Sequence, residues 1–155
     1  MSWIIKNDIA LPINLVRAHF LVMLNHPKVR LTELDGHIIE IRPTVNVLFA
    51  KEPITCISKG KILLSERTPE ITDIQIILDT DTLKVFTILF PLLFIILFTI
   101  FGHWMTDIPL SEMLVGLWKI HVCMIAGSIL IYLLIKQAVL RYFTQILDRI
   151  RELSL

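Results

Sequence analysis

Leu83–Leu134, LKVFTILFPLLFIILFTIFGHWMTDIPLSEMLVGLWKIHVCMIAGSILIYLL, contains two long apolar runs joined by a short polar link. Val85 to Phe101 carries no charge and is dominated by Leu, Ile and Phe. From Met113 to Ile135 the groups that charge readily are Lys119 and His121. At about 1.5 Å rise per residue, a run of about 20 residues crosses the roughly 30 Å hydrocarbon layer of a bilayer. Both runs are long enough. The expected link, Gly102 to Glu112, is too short to fold by itself. The reading is a two-helix transmembrane hairpin.

The composition agrees with that reading. Hydrophobic residues make up 55% of the 155-residue chain and the mean hydropathy is +0.73, above the range of ordinary soluble domains. Outside the runs, enough chain remains for one small water-soluble domain. Fifteen basic residues stand against 14 acidic ones. That balance leaves no electrostatic footprint for nucleic acid and no polybasic stretch for anionic lipid. Cys56 and Cys123 fall in different environments, so neither a disulfide framework nor a zinc spacing is expected. The start, MSWIIKNDIALPI, lacks the basic flank and apolar core of a signal peptide.

Before the hairpin, the pattern predicts a strand over Ser2 to Leu11 and a helix from Pro12 to about Asn25. Ile13, Val16, Phe20 and Leu24 recur at helical spacing there, and Pro27 forces the exit. An antiparallel meander should follow. Val29 to Leu34 and His37 to Arg42 flank Asp35-Gly36, a dipeptide suited to the positive φ of a type I′ turn. Further strands are expected over Thr44 to Ala50, Ile54 to Ser58, Lys61 to Ser65 and Ile71 to Asp79, with a second turn at Lys59-Gly60. Asp81 is the expected cap of the first membrane helix, and Pro91 the expected kink in it.

After Lys136 the helical period continues: Val139, Phe143, Ile146, Ile150 and Leu153 form an apolar stripe. No Gly or Pro interrupts it, so one long helix is expected to leave the membrane and lay this stripe on the sheet. The fold class is therefore membrane α+β. It comprises residues 1–82 as a cytoplasmic domain, 83–135 as the transmembrane hairpin, and 136–155 as an amphipathic helix packing on the first domain. Lys59, Lys61, Arg67 and Lys84 precede the hairpin, and Lys136, Arg141, Arg149 and Arg151 follow it, while the link has Asp107 and Glu112. The positive-inside rule then places both termini in the cytoplasm, in the manner of a bacterial inner-membrane protein.

The order of elements resembles the helix-grip, or START-like, arrangement. Ile9-Ala10-Leu11-Pro12 followed by Val16 is similar to its strand-to-helix entry. That resemblance implies an apolar-ligand cavity between the sheet and the final helix. As an architecture, the chain also resembles small uncharacterised bacterial membrane proteins, in which a β-rich cytoplasmic domain precedes two membrane helices and an amphipathic helix.

Chemistry-bearing residues are few. His121 lies inside the second run, where a neutral imidazole suits haem iron or chlorophyll magnesium, or a polar contact between helices. Gly116, Gly127 and Ser128 are small residues that let helix backbones approach, either within the hairpin or at another subunit. Trp104 and Trp118 fit an aromatic belt at the lipid interface, and Lys119 can snorkel outward. His19, His26 and His37 match no zinc spacing, and Ser58, Ser65 and Cys56 have no partner base nearby in sequence. The expectation is a non-catalytic accessory subunit or anchored interaction module whose partners are lipid and other membrane subunits, without nucleic acid. The alternatives are an apolar-ligand carrier and a pigment- or haem-contacting subunit working through His121.

Overall fold

Alternation of apolar and polar residues in ITDIQIILD puts Thr72, Ile74, Ile76 and Leu78 on one face of a strand, and these four are buried. Around that strand the computed structural model, which describes residues 2–44, 53–106 and 108–153, builds a five-stranded sheet. Its strands are β1 (Ser2–Ile9), β2 (Val29–Leu34), β3 (Ile38–Pro43), β4 (Lys59–Thr68) and β5 (Ile71–Asp79). The spatial order is β1-β5-β4-β3-β2 and every pairing is antiparallel. Register lines up apolar rows across it. Trp3 faces Leu78, Leu78 faces Gly60, and Gly60 faces Ile41; one step along, Ile5, Ile76, Ile62 and Ile39 do the same.

Two helical segments cover this inner face. Helix α1 (Ile13–Met23) opens behind Pro12, whose fixed φ of −58° suits a helix entrance, and it buries Val16 and Phe20. Arg17 on α1 pairs with Glu33 of β2 at 3.2 Å. The other cover is the last part of α4 (Leu110–Glu152), an uninterrupted 43-residue helix that buries Val139, Phe143, Ile146, Leu147 and Ile150. Arg151 near its end donates to Asn7 Oδ1 at 2.9 Å, and Lys136 lies 5.9 Å from the ring centroid of Trp3. The chain divides into two compact units, Met1–Thr82 with Ile135–Leu155, and Leu83–Leu134. The first therefore has a core assembled from both ends of the sequence.

Asp35 and Gly36 have φ of 56° and 68°, the positive values expected of that dipeptide, but Leu34 pairs with Ile38, so the β2–β3 connection is the three residues Asp35, Gly36 and His37 rather than a two-residue type I′ turn. Elsewhere the strand pattern read from sequence needs correction. Ile54 to Ser58 is not a strand: Pro53–Cys56 forms a 3₁₀ turn that buries Ile54 and Thr55. Lys59-Gly60 is not a hairpin turn but the start of β4. Its glycine is there for close approach, since a Cβ would meet Ile41 and Ile57 at 3.3 Å. The actual β4–β5 turn is Pro69-Glu70, with an irregularity between Glu66 and Thr68. The strand expected over Thr44 to Ala50 lies almost wholly outside the described residues, so five of the seven expected strands are described.

The second unit begins within a helical stretch. Helix α2 (Asp81–Lys84) runs into a π-helical turn, Val85–Leu89, and then α3 (Phe90–Thr106). Asp79 Oδ1 accepts from the Asp81 N–H at 3.2 Å, so the carboxylate two residues earlier serves this helix start and Asp81 is its first residue. Pro91 cannot supply the N–H that the carbonyl four residues back needs, and the wide turn lies immediately before it. The link is shorter than read from sequence. Helix α3 continues to Thr106 and α4 starts at Leu110, with Pro109 O accepting from the Glu112 and Met113 N–H groups. Gly102 therefore sits in a helix, and α4 begins three residues before Met113.

Candidate functional site

Within Leu83–Leu134 the side chains sort by face. On α3 the buried or half-buried positions are Pro91, Ile95, Thr99 and Gly102, continuing the line of Thr87 in the π turn. On α4 they include Met113, Leu117, His121, Met124 and Ser128. Steps of three and four residues put each set on one helix face. Two observations fix how the faces meet. Gly102 leaves room for the tip of Met113, which would collide with any Cβ there. Further along, Thr87, Pro91, Ile125 and Ser128 share an apolar groove of about 260 Å³. The helices thus run antiparallel along this seam, which sets His121 near the level of Ile95.

Thr87, Thr99, His121 and Ser128 lie on the seam, while bulky apolar side chains dominate the outside. Leu92, Leu93, Ile96, Leu97 and Ile100 are 48–57% exposed. The hydroxyls return to their own helices: Thr87 donates to Leu83 O at 2.7 Å, Thr99 to Ile95 O at 2.8 Å and Ser128 to Met124 O at 2.8 Å. Each donor is thereby satisfied without a partner across the seam. His121 differs. Its Nε2 is buried and has no hydrogen-bond partner among the described residues. A buried polar nitrogen without a partner costs its desolvation, which makes this imidazole the most conspicuous polar group of the hairpin.

The other residues singled out from sequence are spread rather than gathered. A Cβ added at Gly116 or Gly127 meets nothing within 4 Å, so neither glycine serves the α3–α4 contact. Ser128 does line the seam groove. Trp104 is 77% exposed at the end of α3, with Phe101 6.4 Å away between centroids, and Trp118 and Lys119 are exposed on α4. His103 is inside α3 and engages the Ile108 carbonyl through Nδ1, so it is not level with His121. Among the described residues no cluster of three or more His, Cys, Asp or Glu is placed to hold a metal. Sequence reading missed Gly102 as the packing glycine, because it assigned it to the link. The spacing Thr87–Pro91–Ile95–Thr99–Gly102 was the signal available.

On the sheet face turned away from the helices, Glu40 of β3 is buried and gripped by two cations. Lys59 Nζ lies 2.5 Å from Oε1, and Arg42 Nε and Nη2 each lie 2.9 Å from Oε2. The Lys59 hydrogen bond, with the charges of Arg42 and Lys59, outweighs desolvation and holds the carboxyl below its usual range. Burial pushes the Cys56 thiol up. Two open grooves also lie along the sheet. One of about 610 Å³ is flanked by Lys6, Asp8, Arg67 and Asp73, and one of about 420 Å³ by Lys59, Lys61 and Asp79.

Comparison with protein families and with curated proteins finds no match. Among solved structures the chain is similar to the di-domain ARO/CYC BexL from the BE-7585A biosynthetic pathway, at 11% identity and a TM-score of 0.33. The likeness covers 90% of this chain and 50% of that one, so the chain spans about half the length of that protein. It is compatible with the helix-grip resemblance, and at that score it carries no argument about function.

Proposed function

We propose that this protein is a non-catalytic accessory subunit, or anchored interaction module, of a membrane complex, held in the bilayer by the Leu83–Leu134 hairpin. The observation that carries the proposal is the sorting of that hairpin: Thr87, Thr99, His121 and Ser128 lie on the α3–α4 seam, while bulky apolar side chains dominate the outside of helices of spanning length and the exposed polar groups His103, Thr106, Ser111, Glu112 and Lys119 fall towards the linked ends. The apolar windows of the two helices are only 12% and 6% buried, and the hairpin lies far from the N-terminus. Water would penalise that exterior heavily, and lipid would not. The charge distribution in the sequence supports cytoplasmic termini and an inner membrane of bacterial type. Gly116 and Gly127 face open space, which suits close approach by a helix of another subunit.

The test has two parts. Alkaline extraction should leave the protein in the membrane pellet, and a thiol reagent confined to the outside should label a cysteine placed at Ser111 but not one at Ser65. Release into the supernatant refutes the anchor. Purification in mild detergent should then yield a defined complex whose assembly is lost with Gly116→Leu or Gly127→Leu. A monomer unaffected by either change refutes the subunit reading.

A second reading has one observation in its favour, the unpartnered Nε2 of His121. In it, the protein contacts a haem or chlorophyll macrocycle through His121. The purified complex must then absorb in the visible, and His121→Leu must remove part of that absorption. A colourless complex with intact assembly leaves the histidine as a contact between helices.

A further inference from the structure

We infer that the sheet carries a docking surface for anionic phospholipid headgroups, centred on Arg30, Arg42, Lys59 and Lys61. The inference rests on the proposed membrane anchor and adds what the domain does beside it. The four residues come from three strands, and no two are adjacent in sequence. Register brings them together: Arg30 lies directly opposite Arg42, and Glu40 directly opposite Lys61. Strand alternation puts all five side chains on the face turned away from α1 and α4.

Like charges directly opposite each other on neighbouring strands destabilise a sheet. Here four cations share one buried carboxylate, Glu40, with Asp79 and Asp81 lining the groove beside Lys59 and Lys61. Glu40 is already shared by Arg42 and Lys59, and among the described residues Arg30 and Lys61 have no ion-pair partner. Asp79 stands opposite Lys59 on the far side, which confines the excess charge to the corner formed by β2, β3 and β4. A surface of this kind is completed by an external anion. Phosphate diesters fit, because guanidinium groups bind phosphate oxygens through paired N–H donors and lysines supply charge.

The location selects lipid as the source of that phosphate. Asp79 ends β5 and Asp81 begins α2, so the cross-strand row containing Lys59 and Asp79 lies at the sheet end from which the chain leaves the domain for the hairpin. A bilayer spanned by that hairpin presents headgroups at high local concentration to this end of the domain. The patch also refines the charge reading of the sequence, where no polybasic stretch exists. The cluster is made by strand register.

The experiment uses the full chain in lipid nanodiscs. An environment-sensitive fluorophore is placed at Thr32→Cys, in the same outer-face row as Glu40, in a Cys56→Ser, Cys123→Ser background. A second preparation carries the label at Leu97→Cys. Discs contain phosphatidylcholine alone or with roughly 30% phosphatidylglycerol, and nitroxide lipids quench at the headgroup or at mid-chain. The expected result is headgroup quenching of the Thr32 label that strengthens with phosphatidylglycerol and weakens in about 1 M salt, where the screening length falls to about 3 Å. Arg30→Gln with Lys61→Gln should weaken the lipid-dependent equilibrium roughly 25-fold, about fivefold per charge. If the Leu97 label is quenched at mid-chain while the Thr32 label is indifferent to phosphatidylglycerol, the docking surface is wrong and the anchor stands. An unquenched Leu97 label overturns the anchor and the docking surface with it. A response of the Thr32 label to micromolar inorganic phosphate in neutral discs identifies a free phosphate ligand and also overturns lipid docking.

Discussion

Replacing Phe143 by Ala should unfold the first compact unit far more easily than any change in its exposed helix surface. Phe143 comes from the far end of the sequence, is 0% exposed, and belongs to a core that also includes Phe20, Ile9 and Ile76. Removing a fully buried phenyl ring costs about 3–5 kcal/mol, through lost transfer energy and the cavity left behind. For a unit of about this size each kcal/mol moves Tm by roughly 4–8 °C, so a fall of about 12–40 °C is predicted. Leu153, ten residues later on the same helical stripe, is 57% exposed. Leu153→Ala should cost less than about 0.5 kcal/mol and serves as the control. Trp3 is the natural reporter, because it is buried in the same unit beneath Lys136, whereas Trp104 and Trp118 lie in the hairpin. Thermal unfolding is followed by Trp3 fluorescence of the full chain in detergent, in a Trp104→Phe, Trp118→Phe background. If Phe143→Ala and Leu153→Ala melt within about 2 °C of each other, the terminal helix is not part of the cooperative core.

Three further outcomes are predicted. Glu40 has a folded pKa below its ordinary value, so its contribution to stability is present above that ordinary value and is lost as pH falls through the lowered one. Acid denaturation of wild type and Glu40→Gln should therefore converge at low pH and diverge towards neutrality; parallel curves at all pH values would contradict the ion-pair account. Gly60→Val should destabilise the first unit by about 1–3 kcal/mol through overpacking against Ile41 and Ile57, measured by the same Trp3 melt. Burial raises the Cys56 thiol pKa, so alkylation of the folded protein at about pH 8 should be slower than in denaturant; equal rates would mean the thiol is not shielded.

Where one periodicity runs without interruption, the sequence announces the structure. Ile71–Asp79 alternates cleanly and forms a strand with those bounds. Lys136 onward keeps its helical period without Gly or Pro, and α4 continues unbroken through it. The errors cluster where a residue type has two physical uses. Gly60 resembles turn chemistry, but its missing side chain serves close packing in the middle of a sheet row. Gly102 resembles a link residue beside His103 and Trp104, but it admits Met113 to the helix seam. Ile54 to Ser58 has the β-branched content of a strand, yet Pro53 opens a single 3₁₀ turn instead. For the two glycines local composition is ambiguous and a distant side chain decides; for Ile54 to Ser58 the neighbouring proline does.

The charge distribution makes the same point with a functional consequence. Arg30 and Arg42 are twelve positions apart, and read along the chain each has ordinary neighbours. Only after Asp35 and Gly36 adopt positive φ and close the β2–β3 turn does register set one opposite the other. The same register brings Lys61 to Glu40 across the next strand pair. Shifting that pairing by one residue would send Arg42 to the core face and Ile41 to water, so burial of Ile41 enforces the like-charge juxtaposition outside. A sheet that accepts this repulsion has two ways to relieve it within itself, a counter-charge or exposure to solvent, and Glu40 supplies the first for only part of the cluster. The uncompensated remainder is held on the outer face by the same register that buries the core on the other. Exposure to solvent relieves that remainder in the free domain, and on the proposed docking an external anion replaces the solvent there, so lipid composition, rather than a change in the core, is the variable that should move it.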